Sequence, residues 1–180
     1  EDTVQVIDSM LGTLLDISKL DAGVLQPNVG PVQISKLFNQ LEAELQPVAR
    51  ESGNQLRIRP SRLWGHSDPC LLLRMLGNLV ANALKFTQGG RVLIEARVRV
   101  GELCLEVYDT GPGIPAEQHE EIFQEFHQLG NPHRDRRQGL GLGLAIVRRL
   151  GLLLDHAVEI RSRPGHGSRL SVRVPLAAPN

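Results

Sequence analysis

Aromatic side chains are scarce in this 180-residue chain: Phe, Trp and Tyr make up 3%, with one Trp and one Tyr, so aliphatic side chains must fill the interior. Cysteine is scarce too. Cys70 and Cys104 lie in apolar runs with no CxxC partner, which argues against a zinc site or a disulfide framework and reads as two reduced core residues of a cytoplasmic domain. Net charge is missing: twenty Lys and Arg against twenty Asp and Glu leave no basic field to hold nucleic acid or a membrane surface. A membrane span needs roughly 20 predominantly apolar residues, and the best candidate, "GLGLGLAIVRRLGLLL" at 139–154, is broken by Arg148 and Arg149. No signal peptide is recognisable, and the chain opens at Glu1 inside a helical pattern, which reads as a fragment of something longer that could itself be membrane-attached.

What is present is ordinary for a globular chain, 41% hydrophobic and 22% charged, and fits one domain with or without an appendage. In "EDTVQVIDSMLGTLLDISKLDAG" the residues Val4, Ile7, Leu11 and Leu14 form one apolar stripe and Val6, Met10, Ile17 and Leu20 a second, so this helix needs cover on two sides, from another chain or upstream sequence, or else it packs on its own domain. Two prolines and two glycines in "DAGVLQPNVGPVQ" then mark a linker. The expected organisation is an N-terminal helical segment over 1–22, a linker over 23–33 and a domain over 34–177.

Within that domain the patterns predict helices over 34–53, 69–87 and 143–154, the first bent by Pro47 and the second opened by Asp68 as N-cap and Pro69 in the first turn. "NQLRIRP", "RLWGHS", "RVLIEARVRV", "ELCLEVYD" and "SRLSVRVP" read as strands, the longer ones alternating with period two. Strands with one more buried face, covered by helices, make an α+β fold: a two-layer α/β sandwich with a mixed, mostly antiparallel sheet and helices on one face.

Three stretches carry chemistry. On "DPCLLLRMLGNLVANALKFT" the residues Asn78, Asn82 and Lys85 share one helical face. Two carboxamides and an ammonium suit phosphate-bound magnesium, and equally a solvated polar stripe. In "DTGPGIP" Asp109 ends a strand, and Gly111 and Gly113 let the backbone turn and approach a ligand; this is either plain turn chemistry or a carboxylate placed to accept an exocyclic amino group. Further on, "EEIFQEFHQL" and a polar, lid-like run "GNPHRDRRQ" lead to a glycine repeat that opens a helix, where backbone N–H groups and the helix dipole favour an anion.

Taken in order, "NLVANALKFT", "DTGPGI", "IFQEFHQL" and "GLGLGLAIV" resemble the N, G1, F and G2 boxes of the ATP-binding catalytic domain of sensor histidine kinases, in the wider family shared with gyrase, Hsp90 and MutL. "LLDISKLDAG" is similar to the end of the second dimerisation helix of such kinases, and "RSRPGHGSRLSVRVPL" to their closing hairpin, so the resemblance covers nearly the whole chain. It implies a Bergerat-type fold and ATP and Mg as cofactors. Asn82 would be the magnesium ligand, Asn78 and Lys85 phosphate-side contacts, and Phe86 an apolar wall. Asp109 would read the adenine amino group, with Gly111, Gly113 and Ile114 shaping the base pocket and Ser168 on the adenine side. Gly139, Leu140, Gly141, Leu142, Gly143 and Leu144 would bring the lid and the following helix to the triphosphate. Arg134, Arg136 and Arg137 of the lid are phosphate contacts or simply solvated, and Phe123 and Phe126 pack the base of the lid.

Hydrolysing members of the wider family have a glutamate where this chain has Asn78, and an amide is a poor general base, which agrees with the kinase branch. The implied reaction is in-line transfer of the ATP γ-phosphoryl to an imidazole nitrogen. None of His66, His119, His127, His133, His156 or His166 has the context of the family's acceptor histidine, so each reads as a surface or loop residue and the acceptor is expected on a dimerisation helix missing from the chain. The implied partners are ATP, the dimerisation helices of a homodimer and a response-regulator receiver domain. A module of another class, which binds nucleotide and dimerises or regulates without transfer, is the alternative.

Overall fold

The computed structural model describes residues 18–19, 22–125 and 141–179. Ser18 and Lys19 are helical; the rest of the helix expected over 1–22, apart from the turn at Ala22, lies outside the described residues. The chain then runs through β1 (Gly30–Gln33), α1 (Ile34–Glu51), β2 (Gln55–Ile58), β3 (Trp64–Ser67), α2 (Pro69–Phe86), β4 (Arg91–Arg99) and β5 (Glu102–Asp109). Two short 3₁₀ turns, Ala116–Gln118 and Glu121–Phe123, precede α3 (Gly143–Leu154), β6 (Val158–Ser162) and β7 (Ser168–Pro175). The helices end within two residues of the positions that the periodicity predicts. Two strands escaped it: β1, inside the expected linker, and most of β6, whose "VEI" is too short to show a period.

The main sheet has the order β2-β4-β5-β7-β6, with β2 parallel to β4 and every other pairing antiparallel. β1 and β3 form a separate antiparallel pair. One face of the sheet presents Val92, Ile94, Leu103, Leu105, Val107, Leu170, Val172 and Val174 to the helices, all of them buried. α2 lies against this layer and buries Leu72, Met75, Leu76, Leu79, Val80, Ala83 and Leu84, with α1 and α3 packed beside it. Its start is fixed chemically: Asp68 Oδ1 accepts the N–H groups of Cys70 at 2.9 Å and Leu71 at 3.0 Å, while Oδ2 accepts the N–H of Asn28 at 2.7 Å. These bonds satisfy donors of the first turn and tie the segment before β1 to the helix.

Among the described residues the other sheet face is covered by ion pairs and not by a second helical layer. Glu106, 1% exposed, is held by Arg99 at 3.2 Å and Arg169 at 3.1 Å and accepts the Tyr108 hydroxyl at 3.0 Å. Glu95, 3% exposed, is paired with Arg59 at 3.0 Å and Arg97 at 2.6 Å. Strand alternation puts these glutamates on the outer side, and the arginine stems lie over them.

Two expectations are corrected. Cys70 is exposed, because it falls in the first turn of α2 on the side away from the core; Cys104 is buried as expected. His156 is a buried residue and not a surface one: it lies just after α3, where its Nε2 is 2.8 Å from Ser67 Oγ. α1 continues through Pro47 as a single helix.

Candidate functional site

The C-terminal half of α2 carries two kinds of side chain. Leu79 and Ala83 point to the core, whereas Asn82, Lys85 and Phe86 reach the edge of a cavity of about 210 Å³. The end of β5 contributes Asp109, and the following turn contributes Pro112, Gly113, Ile114 and Pro115. Gly141, Gly143 and Leu144 close one side from the start of α3, and Ser168 and Leu170 come from β7. Ten of the expected residues therefore line one cavity: Asn82, Lys85, Phe86, Asp109, Gly113, Ile114, Gly141, Gly143, Leu144 and Ser168.

Asp109 and Ser168 are direct cross-strand partners in the β5–β7 pairing. Burial pushes the Asp109 carboxyl above its ordinary value, and the backbone N–H groups of Gly111 and Ser168 pull in the opposite direction. The Gly111 bond is 2.8 Å long. The loop after Asp109 is clamped by the β6–β7 hairpin. Ile114 N–H donates to Ser162 Oγ at 2.7 Å and Gly165 N–H to the Pro112 carbonyl at 2.6 Å. At Gly113, with φ of +73°, a Cβ would stand 1.9 Å from the Arg163 carbonyl oxygen, so only glycine allows this approach.

At the other end, α3 follows Leu142 at its N-cap without a side-chain cap, so among the described residues its first N–H groups have no side-chain acceptor. Asn82 is half-buried and has no hydrogen-bond partner among the described residues, which leaves its amide oxygen available to a hard cation. No cluster of three or more His, Cys, Asp or Glu among the described residues could hold a metal unaided. Lys85 Nζ lies 4.9 Å from the Phe86 ring centroid, and desolvation lowers its pKa.

Three expected residues are near the cavity without lining it. Asn78 turns its Nδ2 back to the Arg74 carbonyl at 3.0 Å, and its Oδ1 faces Gly143, where a Cβ would come within 3.3 Å. Gly111 packs under Asp109 and Thr87, and Leu142, 3% exposed, anchors the start of α3 in the core. Gly139, Leu140, Phe126, Arg134, Arg136 and Arg137 lie outside the described residues, as do His127 and His133. Phe123 is buried beneath the Arg148 guanidinium, 5.7 Å from its ring centroid. Sequence reasoning missed Gln118, Ile122 and Leu170 of the lining, and Ser162 behind it. Leu170 was recoverable from strand alternation with Ser168, and Ile122 opens the stretch "IFQEFHQL" without having been singled out in it; Gln118 gave no signal, since its turn has no regular period.

The family described as histidine kinase-, DNA gyrase B- and HSP90-like ATPase matches residues 67–178. An uncharacterized sensor-like histidine kinase of Rhizobium meliloti is 37% identical over 94% of this chain and 33% of its own length. The sensor histidine kinase RcsC of Escherichia coli is 33% identical over 93% of this chain and 18% of its own. The chain thus spans a third or less of the length of these relatives. Among solved structures, full-length ShkA in complex with AMPPNP superposes with a TM-score of 0.81 at 30% identity, covering 95% of this chain and 36% of that one. The mycobacterial sensor histidine kinase MprB gives a TM-score of 0.66 at 26% identity, covering 82% of this chain and 97% of that one. No helix among the described residues is long and apolar enough to cross a membrane. With the family matched over more than half of this chain, the chain belongs to the histidine kinase-, DNA gyrase B- and HSP90-like ATPases, and its fold matches that of sensor histidine kinase structures.

Proposed function

We propose that the cavity holds ATP with its adenine amino group on Asp109 and its triphosphate at the start of α3, and that the γ-phosphoryl passes to a histidine on a dimerisation helix beyond these 180 residues. The observation that carries this reading is the pairing, in one cavity, of a half-buried acceptor carboxylate with an uncapped helix N-terminus and a cationic, amide-bearing helix face. The carboxylate accepts an exocyclic N–H, Gly113 and Ile114 lie along the base, and Phe86 forms an apolar wall. Backbone N–H groups from Gly143 onward take phosphate oxygens, together with Gly141 and Leu142 and with Gly139 and Leu140 of the same repeat. Lys85 faces phosphate charge, Asn78 stands beside Gly143 on that side, and Gly111 sets the position of Asp109.

The donor set fits magnesium: Asn82 would offer one oxygen, with phosphate and water completing the shell. Bound there, the ion would neutralise charge developing on the transferred group. The chain's own residues bind and orient the nucleotide, and Asn78, lacking a carboxylate, gives water no base, so transfer to imidazole is favoured over idle hydrolysis.

The same reading takes 1–22 as the end of a second dimerisation helix, 23–33 as its connection and 34–177 as the catalytic domain, within a homodimer that serves a receiver domain in the cytoplasm. Mixing the chain with a polypeptide carrying the dimerisation helices and labelled ATP should yield acid-labile phosphate on that polypeptide's histidine. ATP binding without any such label would favour a regulatory module instead.

A further inference from the structure

Ser162 ends β6 behind the cavity wall, not on it. Its hydroxyl has one hydrogen and two lone pairs, and three neighbours use them all. Ile114 N–H donates to Oγ at 2.7 Å, the Gly167 carbonyl lies 2.9 Å away, and Ser168 Oγ lies 2.8 Å away. A carbonyl only accepts, so the Ser162 hydrogen goes to Gly167, and Ser168 must be the donor in the contact between the two serines. Ser168, which does line the cavity beside Asp109, is then left with lone pairs alone for anything inside.

We infer that Ser162 is a specificity-determining positioning residue: it fixes the Ser168 hydroxyl as an acceptor, so the base end of the cavity carries two acceptors and selects a 6-amino purine over a 6-oxo purine. The inference rests on the nucleotide reading above and deepens it. A 6-amino group donates to such a wall, whereas a 6-oxo group meets only lone pairs. A Ser168 hydroxyl free to rotate would donate to the 6-oxo group, and Ser162 prevents that rotation. Through Ile114 the same oxygen also sets the loop that carries Gly113.

The test is calorimetric titration of the 180-residue chain with magnesium ATP and magnesium inosine triphosphate. Wild type should prefer ATP. Ser162→Ala should narrow that preference about tenfold, the scale of one lost hydrogen-bond discrimination, and Ser162→Thr, which keeps the hydroxyl, should retain it. Ser168→Ala should weaken ATP several-fold and leave inosine triphosphate within about twofold, since the lost oxygen bonds only the amino group. This variant reads the inference even where Ser162→Ala fails to fold. A preference unchanged in Ser162→Ala, or a Ser168→Ala variant that loses inosine triphosphate and keeps ATP, overturns the inference. Absence of ATP binding in wild type would instead overturn the nucleotide reading on which it rests.

Discussion

Asp109 and His156 respond to pH in opposite directions, each for a reason visible around the side chain. Burial raises the Asp109 carboxyl above 3.8, so the folded state takes up its proton at a higher pH than the unfolded chain does. This group therefore adds stability as pH falls through the raised value, and loses it as pH rises. Nucleotide binding, if Asp109 reads the base as proposed, needs the carboxylate and should weaken as pH falls over that same range. A titration of affinity against pH should show the loss above the ordinary carboxylate value, and Asp109→Asn should abolish that pH dependence. For His156 burial lowers the pKa from 6.5, with the Asp155 backbone and carboxylate partly offsetting it. The stability it contributes is present above about 6.5 and is lost as pH falls toward the lowered value. Melting temperature should drop between roughly pH 7 and 5, and His156→Gln should flatten that drop. Sequence alone gave no hint of this burial, because His156 follows the last turn of α3 and its partner Ser67 is 89 residues away in sequence.

At the scale of elements, turns and caps decide more than the hydrophobic pattern does. The β4–β5 hairpin turns at Val100 and Gly101, with φ of 51° and 79°, the geometry that favours Asn-Gly. Val100 is fully exposed, so its side chain contributes no packing. Val100→Asn should raise stability by about 1 kcal/mol, measured by denaturant unfolding. Asp68 acts in the opposite sense: Asp68→Ala should cost about 1–2 kcal/mol, because the N–H groups of Cys70, Leu71 and Asn28 lose their acceptor. The Asp68-Pro69 start of α2 was legible in the sequence because capping is a local rule. The strand β1 was not, since "GPVQ" has turn composition and becomes a strand only by pairing with β3. In the site the glycines were legible as permissive backbone, but their reason is long-range: Gly113 is required by the Arg163 carbonyl, fifty residues on.

For the whole molecule, one neutral chain divides into an aliphatic layer and an ionic one. Helices cover the first sheet face, and arginines laid over Glu95 and Glu106 seal the second. Glu106→Ala should destabilise the domain by about 2–3 kcal/mol, read by denaturant unfolding, because Arg169 and the Tyr108 hydroxyl lose a buried acceptor. The alternation of β4 and β5 showed which face each residue takes, but not that the outward glutamates would be inaccessible, since burial there depends also on Arg169 of β7 and on Arg59, just after β2. The cavity is likewise assembled from α2, the end of β5, the start of α3 and β7, segments whose joint role was readable only from the order of their motifs.

Asp109 is the proposed base-reading carboxylate at one end of the cavity. Calorimetric titration of magnesium AMPPNP into wild type and Asp109→Asn, both verified as folded by thermal melting, tests it directly. Binding by wild type and an affinity at least about tenfold weaker in the variant is the expected result, given the worth of a hydrogen bond to a charged group. Equal affinity in the two would contradict it.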